Sequence, residues 1–371
     1  MKPLPYNNAT RTKKNTQQAK ALKLMAICLM LFTGCSCNKQ SPLKAYRYTP
    51  PPPPPPPQDT LWNWTKLNWG GVEAEAVIVD PTNGSIVYVA SRNAYGGIWK
   101  SYDGGGTFTK VWALGAFGGM AIDPNSPQVI YAACAGYGVW RSRDGGSTWF
   151  QLTNLYSDYV QPDRFDSSYI YAGSWRSTDY GASWSLMIPF GTYPDAEDLV
   201  QSWQNPNVLY AGRRPYGNNK LTLKSTDRGN TWFMVDAGGA GYWRMDIDPW
   251  DDKRVYYVAY YYRIEDTLSR TSNGGTTWEK YPVGRDTLGS SWIPVAVDPR
   301  RGLRQVIYAG GEGVHRSVDY GKTWKTIGLE GMLVRDIAVD PTAPTNTTIL
   351  YVAAPCFNPP CDRIYRGSPG K

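Results

Sequence analysis

The sequence predicts an all-β protein: a closed, seven-bladed β-propeller in which each blade is a sheet of four antiparallel strands. Three observations support this prediction. An eight-residue unit recurs six times at intervals of 35 to 48 residues, short strand patterns precede each copy, and each end of the chain carries part of one further unit. A four-stranded unit repeated at this interval is typical of a propeller blade.

The first 34 residues have the pattern of a signal peptide. They contain six Lys or Arg residues, no Asp or Glu, and an apolar run from Leu24 to Phe32 that is too short to span a bilayer. The following Phe32-Thr33-Gly34-Cys35 resembles the bacterial lipobox, which implies cleavage before Cys35 and a lipid on its side chain. An ordinary secretory signal and an uncleaved anchor are the alternatives, and all three predict an exported domain. With the lipid, we expect a membrane-anchored protein at the cell surface or in the periplasm.

The formal net charge of +8 does not indicate a nucleic-acid ligand. Six of the positive charges belong to the leader, so the rest of the chain is nearly balanced. A nucleic-acid surface needs clustered cations on the folded domain. We therefore expect no nucleic-acid partner, and membrane contact through the lipid anchor only.

Residues 35–59 read as a linker between the signal and the propeller, which we assign to residues 60–371. The linker is polar and then contains eight consecutive prolines, from Pro50 to Pro57. Polyproline II rises ~3.1 Å per residue, so this run predicts a semi-rigid spacer of about 25 Å.

The repeated unit, called the box here, has the pattern of a tight hairpin followed by a Trp-bearing strand. Its glycines supply positive φ, its Asp can accept backbone N–H bonds across the turn, and its Ser or Thr can bond the turn locally. The side chains predicted to stabilise the six box hairpins in this way are those of Asp103, Asp144, Asp179, Asp227, Asn273 and Asp319. We expect these side chains to be structural rather than catalytic.

Upstream of each box lie two strand patterns joined by a turn, and then a third strand that leads into the box. Asp-Pro pairs such as Asp80-Pro81 mark five of these turns. Seven units can be counted, but the seventh ends without a box or a fourth strand, and Trp64 lies in an N-terminal strand with no box before it. The N-terminal strand is therefore predicted to complete the last blade, which leaves no open sheet edge between the chain ends.

The cysteines outside the leader do not indicate a metal site. Cys134 lies within a strand pattern and is expected to be buried. Cys356 and Cys361 are separated by four residues, and an oxidising compartment favours a local disulfide between them. Two thiols and the single His315 cannot fill a tetrahedral metal shell, so we expect no metal and no cofactor.

The boxes resemble the Asp-box, or bacterial neuraminidase repeat, superfamily from about Trp64 to Ser368. Similar repeats occur in sialidases, xyloglucan hydrolases, sortilin-like receptors and a photosystem assembly factor, so the resemblance implies a fold and not an activity. Sialidases need an Arg-Ile-Pro motif near their start. Here Trp292-Ile293-Pro294 comes late and lacks the Arg, which argues against sialidase activity.

The segments NWGGVEAEAVIVDP and YVASRNAYGGIWKS most resemble the N-terminal propeller of xyloglucan hydrolases. The resemblance implies a catalytic Asp two positions before the Gly-Gly of the first blade, where this chain has Ala94. The second propeller, which supplies the other carboxylate in that family, is not expected here. Both members of a carboxylate pair are therefore missing at the implied positions.

A ligand is expected on the face opposite the boxes, around the channel, where loops collect aromatic and charged residues. Aromatic faces mixed with polar groups suit sugar rings or a protein hot spot, although many of these rings could instead pack between blades. The predicted ligand-binding residues are Trp69, Tyr95, Tyr137, Arg213, Arg214, Tyr242, Trp243, Arg244, Tyr261 and Trp292.

The sequence thus predicts a monomeric surface lipoprotein that binds a glycan or a protein without catalysis, and it assigns no catalytic residue. The alternative is a glycoside hydrolase with relocated carboxylates. Glu197 and Asp198 are one acidic pair that such a mechanism could use, although sequence neighbours usually point apart in a strand. Two carboxylates facing each other at ~5–9.5 Å across the channel mouth would favour the enzyme.

Overall fold

The computed structural model describes residues 61–71, 73–91, 96–113, 118–134, 136–188, 196–213, 221–236, 244–259, 266–284, 293–354 and 363–370. These residues form seven sheets, each of four antiparallel strands. The predicted seven-bladed propeller is confirmed. Within the described ranges, no helix is long and apolar enough to cross a bilayer.

The blades follow one another along the chain. Blade 1 contains β2 (Ala74–Asp80), β3 (Asn83–Ser91), β4 (Gly97–Ser101) and β5 (Thr109–Trp112), and blade 2 contains β6 (Gly119–Ile122), β7 (Ile130–Cys134), β8 (Gly138–Ser142) and β9 (Phe150–Thr153). Blade 3 contains β10 (Val160–Pro162), β11 (Ile170–Ala172), β12 (Trp175–Ser177) and β13 (Ser185–Leu186), and blade 4 contains β14 (Ala196–Gln201), β15 (Leu209–Arg213), β16 (Leu221–Ser225) and β17 (Phe233–Asp236).

The second half of the ring repeats this order until the last blade. Blade 5 contains β18 (Met245–Ile247), β19 (Val255–Ala259), β20 (Asp266–Thr271) and β21 (Glu279–Gly284), and blade 6 contains β22 (Val295–Val297), β23 (Ile307–Ala309), β24 (Glu312–Ser317) and β25 (Lys325–Leu333). Blade 7 contains β26 (Asp336–Val339), β27 (Leu350–Ala353), β28 (Ile364–Pro369) and β1 (Trp62–Leu67).

Blade 7 closes the ring by joining the two ends of the chain. Strand β1 pairs antiparallel with β28, from Trp62 opposite Pro369 to Leu67 opposite Ile364. Trp64 takes the place of the missing box Trp, and its Nε1 donates to Ile327 O in blade 6 at 2.8 Å. The prediction that the N-terminal strand completes the last blade is confirmed.

The core is divided among the interfaces between blades. Within the described residues, buried apolar side chains form seven clusters, one at each interface, including the one that joins blade 7 to blade 1. The second strand of every blade contributes a tyrosine that is 1% exposed or less: Tyr88, Tyr131, Tyr171, Tyr210, Tyr256, Tyr308 and Tyr351, with Tyr257 as a second one in blade 5. Because each blade of such a ring packs against its two neighbours, loss of one interface opens the ring.

Candidate functional site

The box hairpins lie on the same face of the propeller as the turns between the first and second strands. In each box a backbone N–H donates to that turn of its own blade, as Gly104 N does to Ser85 O and Gly274 N to Lys253 O, both at 2.9 Å. We call this side the box face and the opposite side, where the second and third strands are joined, the loop face.

Each box acidic or amide side chain holds its own hairpin. In the first box, Ser101 Oγ donates to Asp103 Oδ1 at 2.8 Å, and Thr107 donates to the two carboxylate oxygens from N at 2.9 Å and from Oγ1 at 2.8 Å. Hydrogen bonds from the Thr107 N–H, then from the Ser101 and Thr107 hydroxyls, lower the pKa of Asp103 to about 2. In the fifth box the Asn273 amide keeps the same connection, donating from Nδ2 to Thr277 Oγ1 at 2.8 Å.

A second repeated feature caps the turn that follows the first strand of each blade, on the box face. A side-chain oxygen at the strand end accepts the N–H of the residue two positions later, at 2.8 to 3.1 Å in all seven blades. The acceptors are Asp80, Asp123, Asp163, Ser202, Asp248, Asp298 and Asp340. These include the Asp of every Asp-Pro pair, and this explains why the pair recurs: the Asp closes the turn that the Pro begins.

The seven first strands line a central channel that encloses about 490 Å³. Three carboxylates in this channel join neighbouring blades: Asp198 accepts Met245 N at 2.7 Å, Asp246 accepts Val297 N at 2.7 Å, and Asp336 accepts Val77 N at 2.9 Å. Each also accepts the N–H of the residue that follows it. These three channel carboxylates are thus tied to backbone groups on both sides of a blade interface.

Burial dominates the acid–base behaviour of the channel carboxylates. Desolvation raises the pKa of Asp198 and of Asp246 to about 6, against the lowering effect of nearby arginines and backbone N–H groups. Desolvation also raises the pKa of Asp336. A carboxyl group with a pKa near 6 exchanges its proton close to neutral pH, a property that functional and structural carboxyls can share.

Arg244 lines the channel immediately before β18. Desolvation lowers its pKa, but the charges of Asp336, Asp198 and Glu75 outweigh that effect, so its pKa lies above the usual value. Glu75 in turn lies 3.7 Å from Arg335. The channel therefore has an arginine among carboxylates at this point, rather than an isolated acidic pair.

Of the predicted ligand-binding residues, one is buried between blades, two are exposed or line the channel, and the structure does not describe the side chains of the others. Trp69 is a wrong assignment: it is 1% exposed and packs edge-on against Trp99 at 6.0 Å between ring centroids, so its ring belongs to the interface between blades 7 and 1. Tyr137 is 53% exposed in the turn between the second and third strands of blade 2, and Arg244 lines the channel.

The remaining predicted residues stay predictions. For Arg213 the structure describes only the backbone, at the end of β15. Tyr95, Arg214, Tyr242, Trp243, Tyr261 and Trp292 lie outside the described residues, and so do Cys35, Cys356 and Cys361. Cys134 is a buried free thiol whose pKa is raised by desolvation to about 12, as its strand position predicts.

Exposed aromatic residues on the box face were not predicted from the sequence. Phe165, Trp203 and Trp250 are 43%, 40% and 42% exposed, and they lie in the capped turns of blades 3, 4 and 5. The available signal was a departure from the repeat. In these three blades a large ring occupies one of the two positions after the capping residue, where the other four blades have Pro followed by Thr, Asn or Arg.

The described residues contain no group of three or more His, Cys, Asp or Glu side chains placed to bind a metal ion. His315, the only histidine of the chain, is 6% exposed within β24, and its Nδ1 lies 3.1 Å from Thr326 Oγ1. Desolvation lowers the pKa of His315. Its ring is therefore buried between Thr326 of blade 6 and Gly284 of blade 5.

Comparison with known proteins relates the chain to propellers of two kinds, and no protein-family model matches it. The chain is 28% identical over 197 residues, 42% of its length, to a xyloglucanase of Paenibacillus sp.. An ancestral GH74 enzyme superposes with a TM-score of 0.59 at 17% identity, over 78% of this chain and 44% of that one. YCF48 bound to D1 peptide superposes with a TM-score of 0.56 at 13% identity, over 85% of this chain and 99% of that one. The chain matches only 19% of the Paenibacillus enzyme's length. It is a seven-bladed propeller that resembles those of the GH74 xyloglucanases and of YCF48.

Proposed function

We propose that this protein is a glycan-binding propeller, displayed at the cell surface through a lipid on Cys35, that binds a polysaccharide without cleaving it. One sequence relative, from Paenibacillus sp., is an enzyme named for its polysaccharide substrate, xyloglucan. A chain that shares the propeller can share affinity for a related glucan while lacking the chemistry.

The observation that carries the non-catalytic part of the proposal is the bonding of the channel carboxylates. Asp198, Asp246 and Asp336 each accept two backbone N–H bonds, one within their own strand and one from the next blade. A glycosidase acid must instead donate its proton to the leaving oxygen, and its partner must face the sugar carbon. Carboxyls that hold adjacent blades together are poorly placed for either role.

A direct test combines binding with turnover. The purified propeller would be run in affinity gels containing xyloglucan, unbranched β-glucan, mannan or xylan, and released reducing ends would be measured in parallel. Retarded migration in at least one glycan without reducing-end release supports the proposal. If no glycan retards the protein, glycan binding is refuted.

One observation favours the alternative, a glycoside hydrolase. The pKa of about 6 for Asp198 and Asp246 is in the range that a general acid requires near neutral pH. Reducing-end release that disappears in Asp198→Asn or in Asp246→Asn, while the variant remains folded and still binds, would establish the hydrolase and refute the non-catalytic proposal.

The lipid anchor is tested separately. Metabolic labelling with a fatty acid should mark the wild-type protein and leave Cys35→Ala unlabelled, with Cys37→Ala as the matched control that keeps its label. Equal labelling of wild type and Cys35→Ala would exclude Cys35 as the lipidated residue.

A further inference from the structure

We infer that the exposed rings of Phe165, Trp203 and Trp250 form a sugar-binding strip on the box face, opposite the face where the sequence predicts the ligand. This inference rests on the proposed function and assigns it a site. We call these three residues, together with Arg164 and Gln204 between them, the aromatic strip.

The turns that carry the three rings are linked by contacts that run from blade to blade. The Arg164 guanidinium carbon lies 3.9 Å from the centre of the Trp203 ring, and Arg164 N donates to Gln201 Oε1 at 2.8 Å. Gln204 Nε2 donates to Pro249 O at 3.4 Å, which joins blade 4 to blade 5 just before Trp250. Phe165, Trp203 and Trp250 thus lie in three successive turns that contact one another.

Two of the three rings occupy a position whose side chain stabilises the turn in other blades. Two residues after the capping oxygen, Thr82, Asn125 and Thr342 make side-chain hydrogen bonds to a capping Asp or to the neighbouring turn. Phe165 holds this position in blade 3 and has no polar side-chain atom, and Trp250 holds it in blade 5 with only an indole N–H to donate. In these two blades a large exposed ring stands where other blades have a hydrogen-bonding side chain, and with Trp203 it makes three exposed rings in successive turns, a grouping that indicates an interaction surface.

The chemistry of the strip fits a chain of pyranose rings better than a protein surface. Its rings have polar groups as near neighbours: the Arg164 guanidinium lies on the Trp203 ring, and the Gln204 amide bonds the turn that carries Trp250. A sugar presents the same combination, with C–H groups on one face and hydroxyls at the edge. A protein partner would need a more continuous apolar centre. Arg164 and Trp203 also line the channel, so a sugar bound along the strip has polar channel groups within reach.

The experiment is isothermal titration of the full chain with xyloglucan oligosaccharide and with cellohexaose, using Phe165→Ala, Trp250→Ala and the double variant. Each ring should contribute about a 2- to 12-fold factor in Kd, and the double variant should bind about 4- to 140-fold more weakly. Trp250 and Phe165 are chosen because they are not stacked on Arg164, and melting curves should be unchanged.

Matched controls remove exposed rings elsewhere. Tyr102→Ala removes a ring that is 63% exposed in the first box, on the same face but outside the strip, and Tyr137→Ala removes one that is 53% exposed on the loop face. Both controls should bind as the wild type does. Wild-type affinity in the double strip variant, or a loss of affinity confined to Tyr137→Ala, would overturn the strip and leave the proposed function standing. A wild-type protein that binds neither sugar, or that binds only peptides, would overturn both.

Discussion

Lys100 in blade 1 donates from Nζ to the carbonyl oxygen of Gly145, in the box of blade 2, at 2.9 Å. The same bond recurs around the ring: a cation in the third strand of one blade donates to the box of the next. Its other members are Arg141 to Tyr180, Arg176 to Arg228, Lys224 to Gly274 and Arg270 to Tyr320. The box therefore accepts a hydrogen bond from the preceding blade, in addition to forming the hairpin of its own blade.

Replacing Lys100 with Met tests this hydrogen bond between blades. Lys100 is 4% exposed, so the change removes a charge-assisted hydrogen bond to a buried carbonyl. We expect a loss of about 1.5–3 kcal/mol in the free energy of unfolding. Lys253→Met, on the exposed turn of blade 5, should change it by less than about 0.5 kcal/mol. Urea denaturation measures both, and equal stabilities of the two variants would contradict the assignment.

Arg300 connects blade 6 to blade 7, which is the blade without a box. It is 5% exposed, pairs with Asp298 at 2.5 Å, and donates to Pro344 O at 3.0 Å and Thr347 O at 2.7 Å in blade 7. Arg300→Met leaves Asp298 buried without its cation and should cost about 3–5 kcal/mol. Arg301→Met, its exposed neighbour, is the matched control. A thermal melt of Arg300→Met that coincides with the control would show that the pair is dispensable.

The box carboxylates predict a loss of stability in acid. The pKa of Asp103, Asp144 and Asp179 is lowered to about 2 by hydrogen bonds from Ser and Thr groups. Because the unfolded pKa is about 3.9, their contribution is complete above pH ~4 and is lost as the pH falls towards 2. Asp144→Asn copies the Asn273 box and removes one such group. The stability difference between wild type and Asp144→Asn should shrink as the pH falls from 5 to 2, and a constant difference would count against the shifted pKa.

The channel carboxylates predict a pH dependence of opposite sign. The folded pKa of Asp198 and Asp246 is raised to about 6, so the unfolded chain ionises first. Their effect is absent below pH ~4, and the fold loses stability as the pH rises from about 4 to about 6. The double variant Asp198→Asn with Asp246→Asn should show a flatter stability curve across this interval than the wild type. Parallel curves for the two proteins would refute the raised pKa values.

The fold could be predicted from the sequence because the same motifs recur in successive blades. The six boxes define the hairpins, the Asp-Pro pairs define the capped turns, and the unmatched Trp64 identifies the strand that closes blade 7. The register is specified because a slip of one residue would move each buried tyrosine, such as Tyr88, to the opposite face of its sheet.

The site could be predicted less well, since function depends on departures from the repeat. Trp69 reads as an exposed loop aromatic in the sequence, yet it packs into the interface that ring closure creates. Phe165 and Trp250 were overlooked because each occupies a turn whose partner residues lie in another blade, about 40 or more residues away along the chain. Contacts of that kind exist only once the ring has formed.

The most direct test of the account is a disulfide across the closing strand pair. Asn63 and Ser368 lie opposite each other in the β1–β28 ladder, where opposed Cα atoms are about 4.5–5.5 Å apart and within reach of a disulfide. Oxidised Asn63→Cys with Ser368→Cys should show, by peptide mass mapping, one intrachain link between these positions and a higher melting temperature than its reduced form. Two free thiols at these positions under oxidising conditions would mean that the chain ends do not meet, and a closed ring of seven blades would be wrong.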